Sequence, residues 1–413
     1  MAGGYLELTA SLYDLSNELS MQNKVNRIES IDVLRGIVMV IMALDHVRDY
    51  FHYGSIGGNP SDLETTTPIL FFTRFITHYC APIFIFLAGT SAFLYGRNKS
   101  KVELFKFLFT RGLWLIFLEF TLNNLIWTFD LTYSFQVVQV IWAIGASMVF
   151  LSLFIYLPKK VILGIGIVLV AGHHLLDPIV AEGESFQSLL WYALHQQKFL
   201  MLAPDHIFIF MYPLIPWMGV MALGYCLGEL YSQDFNAERR KKILLGLGLG
   251  SIILFVVLRG LNLYGDQMPW SVQDTSTKTI LSFFSVSKYP PSLIFLCMTL
   301  GPAFLFLAVF ENARNKLSAF FLVYGRVPFF YYFLHMLFIH GFAVLGVVLS
   351  GEDGRLMILS AENIKNAYLA VYGYSLPVVY VVWIGVVLLL YPFCNAYMRY
   401  KAKNKDKRWL SYF

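Results

Sequence analysis

Ten apolar stretches, each about as long as a helix that crosses a bilayer, dominate this sequence. A transmembrane helix needs roughly 20 apolar residues, and only helices and closed barrels satisfy their backbone groups in lipid. The alternating ten-residue strands of a barrel are not found in the sequence. We therefore predict an all-α polytopic membrane protein. The predicted spans are residues 31–52, 75–96, 102–124, 135–157, 160–180, 207–231, 241–263, 290–311, 326–349 and 375–399.

The composition excludes other classes. Of 413 residues, 57% are hydrophobic and 14% are charged, whereas soluble domains carry about 25% charged residues. A soluble enzyme and a disordered chain are excluded, and four cysteines that lie singly in apolar stretches indicate no disulfide framework. We expect a polar N-terminal segment (1–30), a single transmembrane domain (31–400) and a basic tail (401–413).

Lys and Arg residues predict the orientation. Loops rich in these residues alternate with loops that hold few, and most of the 31 Lys and Arg residues fall on one side if the N-terminus is cytoplasmic. Positive residues favour the cytoplasmic side of a membrane protein. The sequence therefore predicts that both termini are cytoplasmic.

The first span holds far more ionisable residues than any other. Such residues are costly in a membrane and are functional candidates by default. Arg35 and His46 are eleven positions apart, which places them within about 20° of each other and about 16 Å apart along a helix. We expect a base within the membrane and an anion-binding Arg near the cytoplasm. The ionisable residues of this span are Asp32, Arg35, Asp45, His46, Arg48, Asp49 and His52.

Neighbours in this span are expected to act on His46. Asp49 follows His46 by three positions and can reach its ring, and Asp45 and Arg48 are paired by the same spacing. A carboxylate beside a histidine fixes its tautomer and raises its basicity, so we expect Asp49 or Asp45 to orient His46. The alternative is that these charges pair among themselves and hold the helices together.

Further candidates lie in the second and third spans. Arg74 and His78 enter the second span at the level of His46, which makes His78 a second candidate histidine of the site. Arg111 and Glu119 are eight residues apart in the third span and share a face, so either an internal ion pair or a substrate contact is expected.

The fifth and ninth spans add the remaining histidines of interest. Arg326 and His335 belong to an amphipathic stripe in the ninth span and are candidate substrate-binding residues. His173 and His174 are adjacent near the outer end of the fifth span. Adjacent residues cannot share one helix face, so we expect no metal site.

Several segments together resemble a known family. The pattern Ile31-Asp32-Val33-Leu34-Arg35-Gly36 followed by Asp45-His46 resembles the transmembrane acyltransferase superfamily, which includes bacterial polysaccharide O-acetyltransferases. Four later segments look more like one branch, the heparan-alpha-glucosaminide N-acetyltransferase-like proteins. These segments are THYCAPIFIFLAGTSAFL (77–94), MYPLIPWMGVMALGYCLGELY (211–231), KYPPSLIFLCMTLGPAFLFL (288–307) and YGRVPFFYYFLHMLFIH (324–340).

The resemblance implies an enzyme that moves an acyl group, usually acetyl, from cytoplasmic acyl-CoA to a sugar hydroxyl or amine on the far side. It implies an essential histidine, expected here to be His46 as general base or as carrier of the acetyl group. In the lysosomal glucosaminide enzymes the functional histidine lies farther along, which makes His52 the second candidate.

The remaining site residues take expected roles around that histidine. Arg48, Arg74 or His78 is expected to stabilise the oxyanion. The expected partners are acetyl-CoA, a glycan or amino-sugar acceptor and the bilayer, with no nucleic acid and with a homodimer left open. The location is expected to be the inner membrane of a bacterium.

A transporter is the rival interpretation. Buried His, Asp and Arg residues also mark proton relays, and a proton-coupled transporter or an exporter of a small molecule or glycan would contain them. Transporters of this kind often show inverted repeats, and no clear internal repeat is found in this sequence.

Overall fold

Most of the chain is helical, as the apolar stretches predict. The computed structural model describes residues 28–404, apart from 55, 57 and 312–314, together with residues 406, 407 and 410. The predicted N-terminal segment therefore lies almost wholly outside the described residues, and so does most of the predicted tail.

The helices are α1 (Glu29–Phe51), α2 (Pro68–Thr77), α3 (Cys80–Gly96), α4 (Lys101–Leu118), α5 (Asn124–Thr128), α6 (Val140–Phe154), α7 (Lys159–Ala171), α8 (Phe186–Leu194), α9 (Leu214–Leu227), α10 (Ala237–Leu261), α11 (Ser276–Phe284), α12 (Leu293–Val309), α13 (Lys316–Arg326), α14 (Pro328–Leu349), α15 (Ala367–Val371) and α16 (Leu376–Lys403). The strands are β1 (Phe135–Val138), β2 (Lys198–Ala203) and β3 (His206–Phe210). A π-helical turn, Glu119–Asn123, joins α4 to α5, and a 3₁₀ turn, His173–Leu176, follows α7.

Local sequence explains where several helices begin. The hydroxyl of Thr67 accepts a hydrogen bond from the backbone N–H of Leu70, and Pro68 occupies the first position of α2. Ser100 and Glu103 form a reciprocal capping box at the start of α4. Such caps satisfy backbone N–H groups that lack a partner within the helix, so they fix the entry points of α2 and α4.

Five segments in the described part of the chain are long and apolar enough to cross a membrane. Two shorter apolar helices, α6 and α12, accompany them. A helix core lies in each of the ten predicted spans, whereas the number of crossings and their orientation stay predictions. The five segments are Pro68–Gly96, Leu214–Tyr231, Ala237–Leu261, Pro328–Leu349 and Leu376–Lys403.

The starts of the fourth and sixth predicted spans are strands, which corrects the all-helical expectation. β3 lies between β1 and β2, pairs in parallel with β1 and forms an antiparallel hairpin with β2. Residues 135–138 and 206–210 are short apolar runs, and periodicity alone cannot separate a short buried strand from the end of a helix.

α1 packs against several helices at once, which places its ionisable residues inside the protein. α13, α14, α16 and α3 all contact it. The closest approach is to α13, where an added Cβ on Gly36 would lie 1.8 Å from the carbonyl oxygen of Phe321. Two glycines, Gly36 and Gly325, thus allow the backbones to touch, as small residues do between membrane helices.

Candidate active site

Asp45 is held between two arginines at one end of α1. Nη1 of Arg74, from α2, lies 2.7 and 2.6 Å from the two carboxylate oxygens. Nη2 of Arg48 lies 2.7 Å from Oδ1, and the hydroxyl of Thr77 donates to the same oxygen at 2.8 Å. The predicted pairing of Asp45 with Arg48 is confirmed, and Arg74 is added to it.

Arg48 is buried and only partly satisfied. Its Nη2 also donates to Oδ1 of Asp49 at 2.6 Å, and the residue is 2% exposed. Nε and Nη1 are buried without a hydrogen-bond partner in the described structure. Because an unsatisfied buried donor is costly, these two nitrogens are candidates to donate to an incoming acceptor oxygen.

His46 is paired with a second histidine. Its Nδ1 lies 2.8 Å from Nε2 of His335, which belongs to α14. Trp127 packs edge-on against the His46 ring, with 4.9 Å between the ring centroids. Both histidines are buried, so the structure brings two of the predicted site residues together. It places His335 rather than Asp49 or Asp45 at Nδ1 of His46, which corrects the expected orienting partner.

The hydrogen bonds of His335 determine the proton positions of the pair. Its Nδ1 lies 2.8 Å from the backbone carbonyl oxygen of Tyr331, and a carbonyl only accepts. Nδ1 of His335 therefore carries hydrogen and Nε2 accepts from Nδ1–H of His46. This inferred tautomer leaves the lone pair of His46 on Nε2, the nitrogen that can take a proton or an acyl group.

The other two candidate histidines have different surroundings. His78 is buried at the end of α2 against the ring of Phe295, with 5.5 Å between centroids, and its Nδ1 has no partner in the described structure. His52 follows α1, and its Nδ1 lies 3.0 Å from the carbonyl oxygen of Tyr53. His78 is thus near the Asp45 and Arg74 pair, whereas His52 is at the edge of the helix bundle.

Arg35 and Arg326 meet at the opposite end of α1. Arg35 donates to Oδ1 of Asp32 at 2.9 Å and to the hydroxyl of Ser91 at 3.0 Å. Arg326 lies 3.8 Å from Asp32 and 3.9 Å from Glu29. The structure therefore groups these two predicted substrate-binding residues, although carboxylates accompany them.

Arg111 and Glu119 have separate surroundings. The carboxylate of Glu119 accepts from the backbone N–H groups of Gln139 and Trp142 and from the side chain of Asn123. Arg111 lies over the ring of Phe107. Glu119 thus anchors the start of α6 to the π-helical turn, which is a structural role.

A family model matches residues 27–264, and the family is described as heparan-alpha-glucosaminide N-acetyltransferase, catalytic. These residues make up more than half of the chain. The chain belongs to this family. No curated protein matches it.

Membership in the N-acetyltransferase family makes this chain a membrane acetyltransferase in general terms. The matched region contains His46 and the charged residues around it. His335 and Arg326 lie beyond the match, so the long-range contact of His335 with His46 is a finding of the structure.

Sequence reasoning missed two residues near the acetyltransferase site. Trp127 packs on His46 from the segment after the π-helical turn. Lys288, which begins the segment 288–307 and was not a candidate site residue, is close enough to act electrostatically on Asp45, His46 and His78. Tandem prolines after Lys288 mark a turn, but nothing in the sequence indicates that this turn returns to α1.

The structure also gathers His173 and His174, which we expected to point apart. One nitrogen of each ring and a carboxylate oxygen of Asp177 all lie within 4.8 Å of one another. The reason for the difference is that these residues form a 3₁₀ turn after α7 ends at Ala171, where the face rule of an α-helix does not apply.

Proposed function

We propose that this protein transfers an acetyl group from acetyl-CoA, or another acyl group from acyl-CoA, to a hydroxyl or amine of a sugar. The observation that carries the proposal is the buried pair of His46 and His335. The pair leaves Nε2 of His46 as the reactive nitrogen, and Arg48 supplies N–H donors from the same helix.

In direct transfer, His46 acts as a general base. Nε2 of His46 takes the proton of the acceptor hydroxyl or amine while the acceptor atom attacks the thioester carbonyl carbon. The tetrahedral oxyanion then collapses, the C–S bond breaks, and the CoA thiolate takes the proton back from His46. General base catalysis of this kind contributes about 10²–10⁴ in rate.

A two-step route uses the same atoms. Nε2 of His46 attacks the thioester carbon, the C–S bond breaks, and CoA leaves as a thiolate, so that acetyl-His46 is an imidazolium that keeps hydrogen on Nδ1. The acceptor then attacks the acetyl carbon, the C–N bond breaks, and the proton of the acceptor passes to the freed Nε2 of His46 and from there to the CoA thiolate. In both routes His335 accepts from Nδ1–H of His46, which holds the ring and stabilises its positive charge.

Arg48 is the best placed donor for the oxyanion. Its unpartnered Nε and Nη1 are buried, and Asp45 and Asp49 hold the guanidinium through Nη2. Preorganised donors in a site that excludes water stabilise developing negative charge strongly. Arg74 contributes positive charge from α2, and His78, which follows the end of α2, contributes shape.

The donor site is proposed at the other end of α1. The excess of Lys and Arg on one side supports a cytoplasmic location for Arg35 and Arg326, and guanidinium groups suit the phosphates of CoA. With about 16 Å of helix between Arg35 and His46, the pantetheine arm lies along α1 and presents the thioester to His46.

The acceptor is proposed to reach His46 from the opposite side, where Arg74, His78 and Lys288 gather. The family description supports an amino sugar as acceptor, and a sugar hydroxyl is the alternative. We propose a multi-pass protein of the inner membrane that works without nucleic acid, either alone or as a homodimer.

Thiol release tests the proposed activity. Purified protein in nanodiscs is incubated with acetyl-CoA and a panel of amino and neutral sugars, and a chromogenic reagent detects free CoA. We expect thiol release that depends on both acetyl-CoA and a sugar, with acetylated sugar found by mass spectrometry. Failure of every sugar, together with sugar or proton flux in proteoliposomes, would favour the transporter instead.

A further inference from the structure

A buried cluster of three histidines and one carboxylate lies at the end of α7, outside the site described above. His173, His174 and Asp177 come from the turn that follows α7, and His195 comes from the end of α8. The ring of His173 lies 4.0 Å from that of His174 and 5.6 Å from that of His195, measured between centroids. Residues distant in sequence thus meet in one small volume.

The central histidine of this cluster is poorly satisfied. His173 is 2% exposed, and in the described structure neither of its ring nitrogens makes a hydrogen bond of good geometry. A weaker interaction with the backbone of Pro291 can reach only one of the two nitrogens. Nδ1 of His195, which is also 2% exposed, makes no such hydrogen bond either. A buried polar atom without a partner costs free energy, so such nitrogens indicate a missing partner.

The other contacts show which atoms hold a lone pair. Nε2 of His174 accepts from the backbone N–H of Leu293 at 3.1 Å, so its Nδ1–H donates to Oδ2 of Asp177 at 2.8 Å. Nε2 of His195 donates to Oδ1 of Asp177 at 3.0 Å, and Gln267 donates to the same oxygen. Asp177 is thus held by three donors, as a metal-binding carboxylate often is.

We propose that His173, His174 and Asp177 bind one divalent transition-metal ion, with Zn²⁺ as the best fit. Their ligand atoms lie within 4.8 Å of one another. Small rotations of the three side chains would bring these atoms to coordination distance from one ion. Two imidazoles and one carboxylate, with a fourth position for water, are typical of zinc and not of Mg²⁺ or Ca²⁺.

Metal binding has a defined proton balance and a second shell. The ion replaces the hydrogen on Nδ1 of His174, so one proton is released, while His173 coordinates through one of its ring nitrogens. His195 keeps its bond to the second oxygen of Asp177 and orients the carboxylate. The bound ion would link the end of α7, the end of α8 and, through Leu293, the start of α12.

Metal titration of the intact protein tests the site. The protein is purified in nanodiscs without a polyhistidine tag and stripped with a chelator. Zn²⁺ is then titrated in competition with a chromophoric chelator, with Mg²⁺ as the contrast. We expect one Zn²⁺ per chain and a Zn²⁺-dependent rise in the unfolding temperature that Mg²⁺ does not produce.

Variants distinguish Zn²⁺ binding at this site from nonspecific Zn²⁺ binding elsewhere on the protein. His173→Asn should weaken Zn²⁺ binding by about 100-fold or more, and His195→Gln should weaken it by about 10–100-fold, the usual range for a second-shell partner. His206→Asn is the matched control, because His206 is exposed and bonded to Asp205, and it should bind as the wild type does.

Two results would contradict the proposed metal site. One is a stoichiometry well below one ion per chain in the wild type. The other is unchanged Zn²⁺ affinity in His173→Asn. If that variant fails to fold, the wild-type stoichiometry and the Co²⁺ absorption spectrum of the wild type decide, since a ligand set of this kind gives a low-coordinate spectrum. The readouts do not depend on acetyl transfer, so the proposed activity can fail without affecting them.

Discussion

Nδ1 of His46 lies 2.8 Å from Nε2 of His335, a residue 289 positions later in the chain. The backbone carbonyl of Tyr331 fixes the proton on the far side of His335. The hydrogen bonds from His46 to His335 and from His335 to the carbonyl of Tyr331 therefore leave the lone pair of His46 on Nε2. This arrangement resembles a catalytic pair in which a second imidazole replaces the usual carboxylate.

His46→Ala should lower acetyl transfer by at least about 10²-fold, because the general base or acyl carrier is lost. His52→Ala is the matched control and should keep most of the activity, since His52 contacts the carbonyl of Tyr53 at the edge of the bundle. Initial rates of CoA release measure both variants. A fully active His46→Ala protein would remove this residue from the mechanism.

We propose that His335 positions the ring of His46, and variants of His335 test this role. His335→Gln offers an amide oxygen to Nδ1–H of His46, whereas His335→Leu offers none. We expect a fall in kcat of about 10-fold for Gln and about 100-fold or more for Leu, with KM for acetyl-CoA little changed. The pH dependence of kcat should shift in the Leu variant, because leucine cannot accept the hydrogen bond from Nδ1–H of protonated His46. Equal rates in both variants would contradict this role.

The partly buried ion pair of Asp45 and Arg74 should show strong coupling. Asp45→Asn leaves Arg74 partly uncompensated, and the cost should lie below the value for a fully buried pair, about 3–5 kcal/mol. Adding Arg74→Gln should recover part of the lost stability, because no uncompensated charge then remains on α2. Thermal unfolding of the single and double variants in nanodiscs measures the coupling, and additive effects would show that the pair does not interact.

Gly36 should not tolerate a methyl group. Its added Cβ would lie 1.8 Å from the carbonyl oxygen of Phe321, so Gly36→Ala must separate α1 from α13 at a cost of about 1–3 kcal/mol. Gly250→Ala is the control, because its Cβ meets no atom within 4 Å and alanine favours a helix by about 1 kcal/mol. We expect the unfolding temperature to fall in Gly36→Ala and to rise in Gly250→Ala. Equal shifts in the two variants would disprove the close contact.

Asp130 should make stability depend on pH in the acid range. Burial alone would raise the pKa of this carboxyl, but hydrogen bonds from Thr132 and Ser134 outweigh it and lower the pKa below its usual value. The stabilisation is therefore present above about pH 4 and is lost as the pH falls through the lowered pKa. Asp130→Asn should be less stable than the wild type at pH 7, and the difference should shrink near pH 3. Asp274→Asn, at an exposed position, is the control and should change the free energy of unfolding by no more than about 0.5 kcal/mol.

The sequence predicted most of the helices and the crowding of charge in α1. Each apolar stretch contains a helix because the bilayer leaves few other ways to satisfy the backbone. It did not predict β1 and β3, whose short apolar runs carry no distinguishing period. Helix spacing gave the contact of Asp45 with Arg48 correctly because that contact is local.

The spacing of residues along the sequence could not predict which helices contact each other. His335 was a candidate from its place in an amphipathic stripe of the ninth span, but its place against His46 depends on how α14 crosses α1. The clustering of His173 with His174 depends on where α7 ends, and a change from α-helix to 3₁₀ turn is not visible in the apolar pattern.

Because His46 and His335 are far apart in the sequence, the helix that carries His46 is synthesised well before the helix that carries His335. Residues 27–264, the region that matches the family, leave the ribosome before α14 does. A nascent chain at that stage carries His46 without the imidazole that orients it. The enzyme is therefore expected to become competent only late in its synthesis, once the helix from Pro328 to Leu349 has packed against the first one.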